Sequence, residues 1–214
     1  MIAPGDSQED GAARVGFAVL VYSVAFVTGA IVMSFEMLGS RYLNPYFGSG
    51  IYTWAALIST VLAALTVGYF VGGWLADRTP SPAVLGLTIL IGSAYVAVLP
   101  AFSDILLEAV LNGIEDVQVG SLAASFAILF FPVTFLGMYS PFAIRLLLSS
   151  PHRSGRISGM VYGISTAGSI VGTLGTTFWL IPAIGSRAIT ITLGLLGIVS
   201  GLVLLAASCR GRRA

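Results

Sequence analysis

The sequence is poor in charge. Only 9% of its 214 residues are charged and 57% are hydrophobic, whereas an ordinary soluble domain carries roughly 25% charged residues. A water-soluble fold is excluded, because a domain of this size cannot bury so many apolar side chains in its core. The apolar residues come in blocks of about twenty, the length that a helix needs to cross the bilayer. The composition therefore predicts an all-α, polytopic integral membrane protein.

Cysteine is almost absent as well. Cys209 is the only one, so no intramolecular disulfide and no cysteine-based metal cage can form. The single histidine, His152, has no acidic or cysteine neighbours and cannot supply the usual number of metal ligands. No catalytic triad, P-loop or nucleotide-binding glycine fingerprint is found. We expect no enzymatic activity, no metal, no cofactor and no nucleic-acid partner.

Six apolar runs predict six transmembrane helices, which form one membrane domain over residues 15–208. Residues 1–14 are polar, lack the basic region and the cleavage site of a signal peptide, and are expected to form a disordered cytoplasmic arm. Residues 209–214 are expected to form a basic cytoplasmic tail. The predicted spans are Val15–Leu38, Ile51–Ala76, Ala83–Phe102, Leu122–Leu148, Ile157–Ile181 and Ala188–Ala207.

Two segments between the spans have distinctive patterns. The segment from Asp104 to Asp116 carries four acids and has apolar residues at helical spacing, which predicts an external amphipathic helix lying on the membrane surface. The segment from Arg41 to Trp54 is rich in aromatic and turn residues. This composition is typical of a re-entrant or interfacial loop at the external surface.

The arginines predict the orientation in the membrane. Cytoplasmic loops collect positive residues, and with the N-terminus inside only Arg41 and Arg187 of the ten basic residues lie outside. Both termini are therefore expected in the cytoplasm. A basic cytoplasmic face is expected from Arg145, Arg153 and Arg156, together with the C-terminal arginines.

Small residues recur at a spacing of four in several spans. Such spacing lets helix backbones approach closely within lipid. The fifth span has small residues on more than one face, so we expect it to be surrounded by protein rather than by lipid. The predicted packing glycines are Gly68 and Gly72 in the second span and Gly159, Gly163, Gly168 and Gly172 in the fifth.

The fourth span contains Pro132, Gly137 and Pro141, which predict a kink or a break. Proline removes a backbone donor and frees a carbonyl one turn earlier, and interrupted helices in transporters place such groups at a substrate or ion site. Kinking that only fits the helix to its neighbours is the alternative.

Glu36 is the only acid inside a predicted span, and Arg41 follows it five residues later. An ionisable group at membrane depth faces the protein interior or a partner. Glu36 is therefore either a functional acid that contacts a substrate or one half of a structural ion pair with Arg41 that seals the outer end of the first helix.

Three stretches resemble the membrane portion of a bacterial family in which transmembrane helices are fused to a spermidine-synthase-like (aminopropyltransferase-like) domain. The second stretch is also similar to the Asp-Arg loop of major-facilitator transporters. The resemblance rests on Phe35–Trp54 (FEMLGSRYLNPYFGSGIYTW), Gly68–Arg78 (GYFVGGWLADR), and Ser140–Leu147 (SPFAIRLL) with Ser158–Arg187 (SGMVYGISTAGSIVGTLGTTFWLIPAIGSR).

The resemblance implies a soluble domain that binds a cosubstrate like decarboxylated S-adenosylmethionine. The sequence contains no such domain, so we expect the soluble part on a separate chain, or a protein that works without it. The expected function is a non-catalytic membrane module in the bacterial inner membrane. It would act as an anchor, subunit or partner of another protein, such as a spermidine-synthase-like enzyme or a larger membrane complex, or as a homo-oligomer.

The alternative function is a small transporter of a polyamine or a related cation. It would use Glu36 and the broken fourth span. Since six helices are half of a major-facilitator transporter, transport would require a dimer.

Overall fold

The protein is a bundle of six helices that are long and apolar enough to cross a membrane. The computed structural model describes residues 6–148 and 154–211. The predicted all-α polytopic architecture is confirmed. The six spans are Val15–Phe47, Ile51–Arg78, Pro82–Gly113, Val117–Leu147, Ser154–Ile184 and Ser186–Cys209.

The first three spans and the sixth are each one continuous helix, whereas the fourth and fifth contain π-helical segments, named π1 and π2 here. The continuous helices are α1 (Asp6–Phe47), α2 (Ile51–Arg78), α3 (Pro82–Gly113) and α9 (Ser186–Gly211). The fourth span consists of α4 (Val117–Ser125), π1 (Phe126–Phe130), α5 (Phe131–Gly137) and α6 (Tyr139–Leu147). The fifth consists of α7 (Ser154–Gly175), π2 (Thr176–Leu180) and α8 (Ile181–Ile184).

Local sequence signals account for several of the helix boundaries. The Ser81 hydroxyl accepts a hydrogen bond at 3.3 Å from the backbone N–H two residues on, and Pro82 takes the first position of α3, where its missing N–H costs nothing. The Asp116 carboxylate accepts two backbone bonds of 2.9 Å at the start of α4. Gly48 and Gly185 have φ values of 75° and 79°, a conformation that glycine adopts without a steric penalty.

The charged segment after the third span does not form a separate surface helix, so that prediction is wrong. α3 continues without interruption to Gly113 and carries Asp104 and Glu108 in its C-terminal part. No glycine or proline lies between Phe102 and Gly113 to end the helix. Passing from lipid to water changes the solvent of a helix but does not by itself terminate it.

The predicted loop after the first span is also mostly helical. α1 extends to Phe47 with Pro45 inside it, and α2 begins at Ile51, which leaves residues 48–50 as the connection. Pro45 lies in the last turn, where the missing N–H removes one backbone bond only.

The arm before the first span is helical from Asp6, while residues 1–5 lie outside the described residues. Extending a helix that has already formed requires no new nucleus, so α1 continues past the apolar stretch in this direction too. The prediction of a disordered arm is therefore wrong for residues 6–14.

The helices pack mainly in three pairs, α1 with α7, α3 with α9, and α2 with the fourth span. Two polar contacts hold one end of the bundle together: the Tyr42 hydroxyl donates to Thr190 Oγ1 at 3.0 Å, and Arg187 pairs with Asp104. At the opposite end, Arg145 Nε lies 3.3 Å from the Asp77 carboxylate. Asp104 and Arg187, which were predicted to be external, thus lie at one end, and Arg145, which was predicted to be cytoplasmic, lies at the other.

Candidate functional site

The fifth span is the least buried of the six. In its most apolar 18-residue window only 11% of residues are buried, against 39% or more in each of the other spans. The helices of this chain therefore do not surround the fifth span, although it was predicted to be surrounded by protein rather than by lipid. The physical reason is that α7 packs against one main partner, α1, and leaves most of its circumference uncovered.

The contact between α1 and α7 depends on small residues from both helices. A methyl group added at Gly168 would overlap the carbonyl of Phe26, and one added at Gly172 would overlap the carbonyl of Ala30. On the other side, Gly29 lies against the backbone of Ser165. Ser169 Oγ donates to the carbonyl of Gly29 at 3.2 Å or to that of Ser165 at 3.1 Å. The two backbones approach so closely that only glycine fits at these positions.

A second row of small residues on α7 faces away from the chain. Its members follow one another at intervals of four and are all exposed. A methyl group added at any of its three glycines would have no atom within 4 Å among the described residues, apart from the nearby backbone of α7 itself. Gly159 and Gly163 were predicted to pack helices together, but within this chain they do not. We call this row the outward stripe; it consists of Gly155, Gly159, Gly163 and Ala167.

The packing glycines of the second span contact the broken part of the fourth. A methyl group at Gly68 would lie 2.5 Å from the carbonyl oxygen of Thr134, and one at Gly72 would lie 2.7 Å from Cα of Met138. The structure therefore brings Gly68 and Gly72 against the residues that flank Gly137. Close contact with α2 holds the interrupted segment in place.

The fourth span is interrupted at two places, and each precedes a proline. π1 ends two residues before Pro132, and α5 and α6 are separated at Met138, three residues before Pro141. In a π-helix each carbonyl accepts from the N–H five residues on, a register that avoids the missing proline donor. Pro141 likewise removes the donor four residues after Gly137. The predicted break thus lies at Pro132, Gly137 and Pro141.

A cavity of about 60 Å³ lies at this break, between α1, α2, α5, α6 and α7. It is small but has room for several water molecules, since one water needs about 10–15 Å³ by the same measure. Most of its polar lining comes from hydroxyl groups. The polar side chains that line it are Thr28, Tyr69, Tyr139, Ser140, Ser165 and Ser169.

The hydroxyls of this cavity differ in their hydrogen bonding. Tyr139 donates to the carbonyl of Val21, and Ser169 donates to a backbone carbonyl of α1 or α7. Thr28 is 4% exposed, and its hydroxyl has no partner among the described residues. A buried, unpaired polar group costs about 1–3 kcal/mol.

Glu36 and Arg41 do not form the predicted ion pair. Glu36 is buried, with 7% of its surface exposed, whereas Arg41 is exposed. Five residues along a helix turn the side chain by about 140°, so the two groups lie on different faces of α1. Glu36 follows Val32 and Met33, which line the cavity, by one helical turn, and it is the one charged side chain that is buried among the described residues.

The predicted basic face is described in part. Arg145 pairs with Asp77 at 3.3 Å, Arg156 is exposed at the start of α7, and Arg78 lies 3.8 Å over the ring of Trp74. Arg153 lies outside the described residues. Within the described ranges, no group of three or more histidine, cysteine or acidic side chains is placed to hold a metal ion.

Sequence reasoning missed the cavity hydroxyls. Thr28, Ser165 and Ser169 occur in apolar spans where serine and threonine are tolerated anywhere, because they can bond the carbonyl one turn earlier. A signal was available: Ser165 and Ser169 are four residues apart and neighbour Gly168 and Gly172 on the helix surface. This spacing places the two serines on the same side of α7 as the glycines that contact α1.

The fold and these features define a class: an all-α, multi-pass membrane protein with an interrupted fourth span. No family model, no curated protein and no solved structure matches the chain.

Proposed function

We propose that this protein is a non-catalytic membrane module that works as a subunit of a larger assembly in the bilayer, with the outward stripe of α7 as its contact surface. The observation that carries the proposal is that a methyl group added at Gly155, Gly159 or Gly163 would meet no other helix among the described residues. Rows of small residues at this spacing let two helices approach closely in lipid.

Lipid chains alone would pack poorly against the outward stripe. Where lipid is the neighbour, large apolar side chains fill the space beside a helix, as Phe70 and Leu62 do on α2 with 76% and 59% exposure. Three glycines and an alanine leave a shallow channel along α7 instead. A mostly apolar groove of about 420 Å³ lies between α1 and Ile164 of α7, and it has room for the larger side chains of a neighbouring helix.

The occupant we assign to the stripe is α7 of a second copy. Closed two-fold dimers are the commonest homo-oligomers, and a two-fold axis along the stripe places Gly159 and Gly163 of the two copies in contact. Identical helices that cross at glycines spaced by four form a close backbone contact without strain.

The end of the bundle that carries Arg78, Arg145 and Arg156 is assigned to the cytoplasm of a bacterial cell, since positive residues collect there. Arg156 is exposed and stands at the cytoplasmic start of the interface helix. The resemblance to fused spermidine-synthase-like proteins supports a soluble, aminopropyltransferase-like partner on this side. Such a partner would dock on the dimer rather than form it.

The test is the oligomeric state of the purified protein, measured by light scattering that separates protein mass from detergent mass. Wild type is expected to be a dimer, and the double variant Gly159→Leu with Gly163→Leu is expected to be a monomer with unchanged helix content. The open space around both glycines allows leucine without a clash inside the chain.

The matched control adds the same side chain away from the stripe. Ala63→Leu places a leucine on an exposed position of α2 and should leave the dimer intact. A wild type that is monomeric in native-lipid nanodiscs, or a double variant that stays dimeric, would contradict the proposal.

Transport of a polyamine or a related cation is the second candidate function. It is favoured by one observation: Glu36 is buried and has no cation partner among the described residues. Uptake of labelled spermidine into reconstituted vesicles tests it. Saturable uptake by wild type that is lost in a folded Glu36→Gln variant would establish transport, and absence of uptake above protein-free vesicles would reject it.

A further inference from the structure

We propose that the cavity at the break of the fourth span binds a small monovalent cation, with Na⁺ as its simplest occupant. The inference does not depend on the proposed subunit role. It rests on the oxygen atoms around the cavity, on the hydrogen bonds that these oxygens already make, and on the absence of a carboxylate from the cavity lining.

The first observation concerns the direction of the hydroxyl protons. Tyr139 and Ser169 both donate to backbone carbonyls. A hydroxyl has one proton and two lone pairs, so these two groups can offer only lone pairs to a ligand. An anion needs donors, so the oxygens of Tyr139 and Ser169 favour a cation over an anion as the ligand.

The second observation is the unpaired hydroxyl of Thr28. Several threonines in the other helices bond the carbonyl one turn earlier, as Thr134 does with Phe130 at 2.7 Å and Thr66 with Leu62 at 2.8 Å. Thr28 makes no such bond, although it is buried and lines the cavity. A ligand in the cavity would satisfy this hydroxyl.

The third observation is the backbone at the break. Gly137 lines the cavity, and Pro141 cannot supply the N–H that the carbonyl of Gly137 would receive in a regular helix. Carbonyl groups freed at interrupted transmembrane helices coordinate Na⁺ in transporters. Gly137, Ser140, Thr28 and Ser165 all line the same cavity.

The charge of the lining and the volume of the cavity narrow the choice of ligand further. Ca²⁺ and Mg²⁺ are bound in proteins largely through carboxylates, and the lining of this cavity contains none. A volume of about 60 Å³ holds an ion with some of its water but not an extended polyamine. A monovalent cation with uncharged oxygen ligands fits both limits.

The experiment measures the thermal unfolding of the purified full-length protein in NaCl, KCl and choline chloride at equal ionic strength. A saturable rise in Tm with Na⁺ is expected, since a ligand that binds only the folded state stabilises it by mass action. At a Na⁺ concentration about four times the Kd, a chain of this size should gain about 2–4 °C. An equal rise in choline chloride would overturn the proposal.

Two cavity variants and one control locate the effect. Thr28→Val keeps the side-chain shape without the hydroxyl, and Ser140→Ala removes a second oxygen; both should weaken the Na⁺ dependence at least tenfold. Thr60→Val is the matched control, because Thr60 is equally buried and unpaired but does not line the cavity. A rise in Tm that survives in both cavity variants would overturn the proposal.

Direct binding keeps the proposal testable if a variant fails to fold. Equilibrium binding of radioactive ²²Na⁺ to the wild-type protein should be saturable and should be displaced by unlabelled Na⁺ but not by choline. Absence of saturable binding by the folded wild type would overturn the assignment, whatever the variants do.

Discussion

Gly163 and Gly168 lie five residues apart on α7 and have opposite surroundings. Gly168 is buried against the backbone of Phe26, whereas Gly163 has open space beside it. Both belong to rows of small residues at a spacing of four. At the scale of single residues, the same amino acid is thus required for the fold at one position and is available for association at the other.

Replacing Gly168 with leucine should destabilise the chain by about 3 kcal/mol, at the upper end for overpacking. The reason is that the new side chain meets a backbone carbonyl, which cannot move aside as a flexible side chain can. Denaturation followed by circular dichroism measures the effect. Gly175→Leu, in the open part of α7, is the control and should cost less than about 1 kcal/mol; equal losses in the two variants would refute the close α1–α7 contact.

Glu36 and Arg41 should behave as independent residues. Because their side chains point to different faces of α1 and only Glu36 is buried, a double-mutant cycle of Glu36→Gln and Arg41→Gln should give a coupling energy below about 0.5 kcal/mol. The measurement is the free energy of unfolding of the four proteins. A coupling energy of several kcal/mol, the scale of a broken buried pair, would show that Glu36 and Arg41 do form the structural ion pair.

At the scale of helices, two kinds of polar contact join neighbouring helices at one end of the bundle. The Arg187–Asp104 pair joins α9 to α3 with both side chains at least half exposed, so water and salt weaken it. The bond from Tyr42 to Thr190 joins α1 to α9 and is buried. Burial, rather than formal charge, decides how much each contact contributes.

Tyr42→Phe should therefore cost about 1 kcal/mol, the usual net value of one hydrogen bond. Asp104→Asn should cost less, under about 1 kcal/mol, and its effect should shrink further in high salt. Thermal unfolding of both variants at low and high NaCl compares them. A larger, salt-independent loss for Asp104→Asn would contradict the exposed character of this pair.

The sequence predicted the positions of the six helices because blocks of apolar residues are directly visible in it. It did not predict the C-terminal ends of α1 and α3. Both helices continue past the last apolar turn, to Phe47 and Gly113, since entry into water does not stop a helix. The break of the fourth span was predictable from Pro132 and Pro141, because proline acts locally.

Helix pairing and the site were less accessible from the sequence. Two rows of small residues on α7 have the same spacing, and nothing in the sequence indicates which row meets α1. The cavity hydroxyls come from helices distant in the chain, such as Thr28 on α1 and Ser140 on α6. Their proximity depends on tertiary packing, which local patterns do not record.

At the scale of the whole molecule, the contacts define two ends of the bundle. Asp104, Arg187 and Tyr42 mark one end, and Asp77 and Arg145 mark the other. Six spans return the chain to the side on which it began. We propose that the Arg145 end faces the cytoplasm, because positive residues collect on that side of a membrane protein.

Cysteine labelling of intact cells in a Cys209→Ala background tests this assignment. A cysteine at Ser49, in the connection between α1 and α2, should react with a membrane-impermeant maleimide, and one at Ser154 should react only after the cells are permeabilised. Both positions are exposed, so burial does not confuse the comparison. If only the Ser154→Cys variant is labelled in intact cells, the orientation is the opposite of the one proposed.

Disulfide cross-linking in native membranes tests the outward stripe most directly. With Cys209→Ala as background, Gly159→Cys is expected to form a covalent dimer on mild oxidation, because a disulfide needs the two Cα atoms within about 7 Å and helices that meet at glycines approach that closely. Phe70→Cys is the control, since Phe70 lies on α2, outside the stripe, and 76% of its surface is exposed. We expect a covalent dimer for Gly159→Cys and a monomer for Phe70→Cys; equal cross-linking of the two, or none at Gly159→Cys, would contradict the proposed interface.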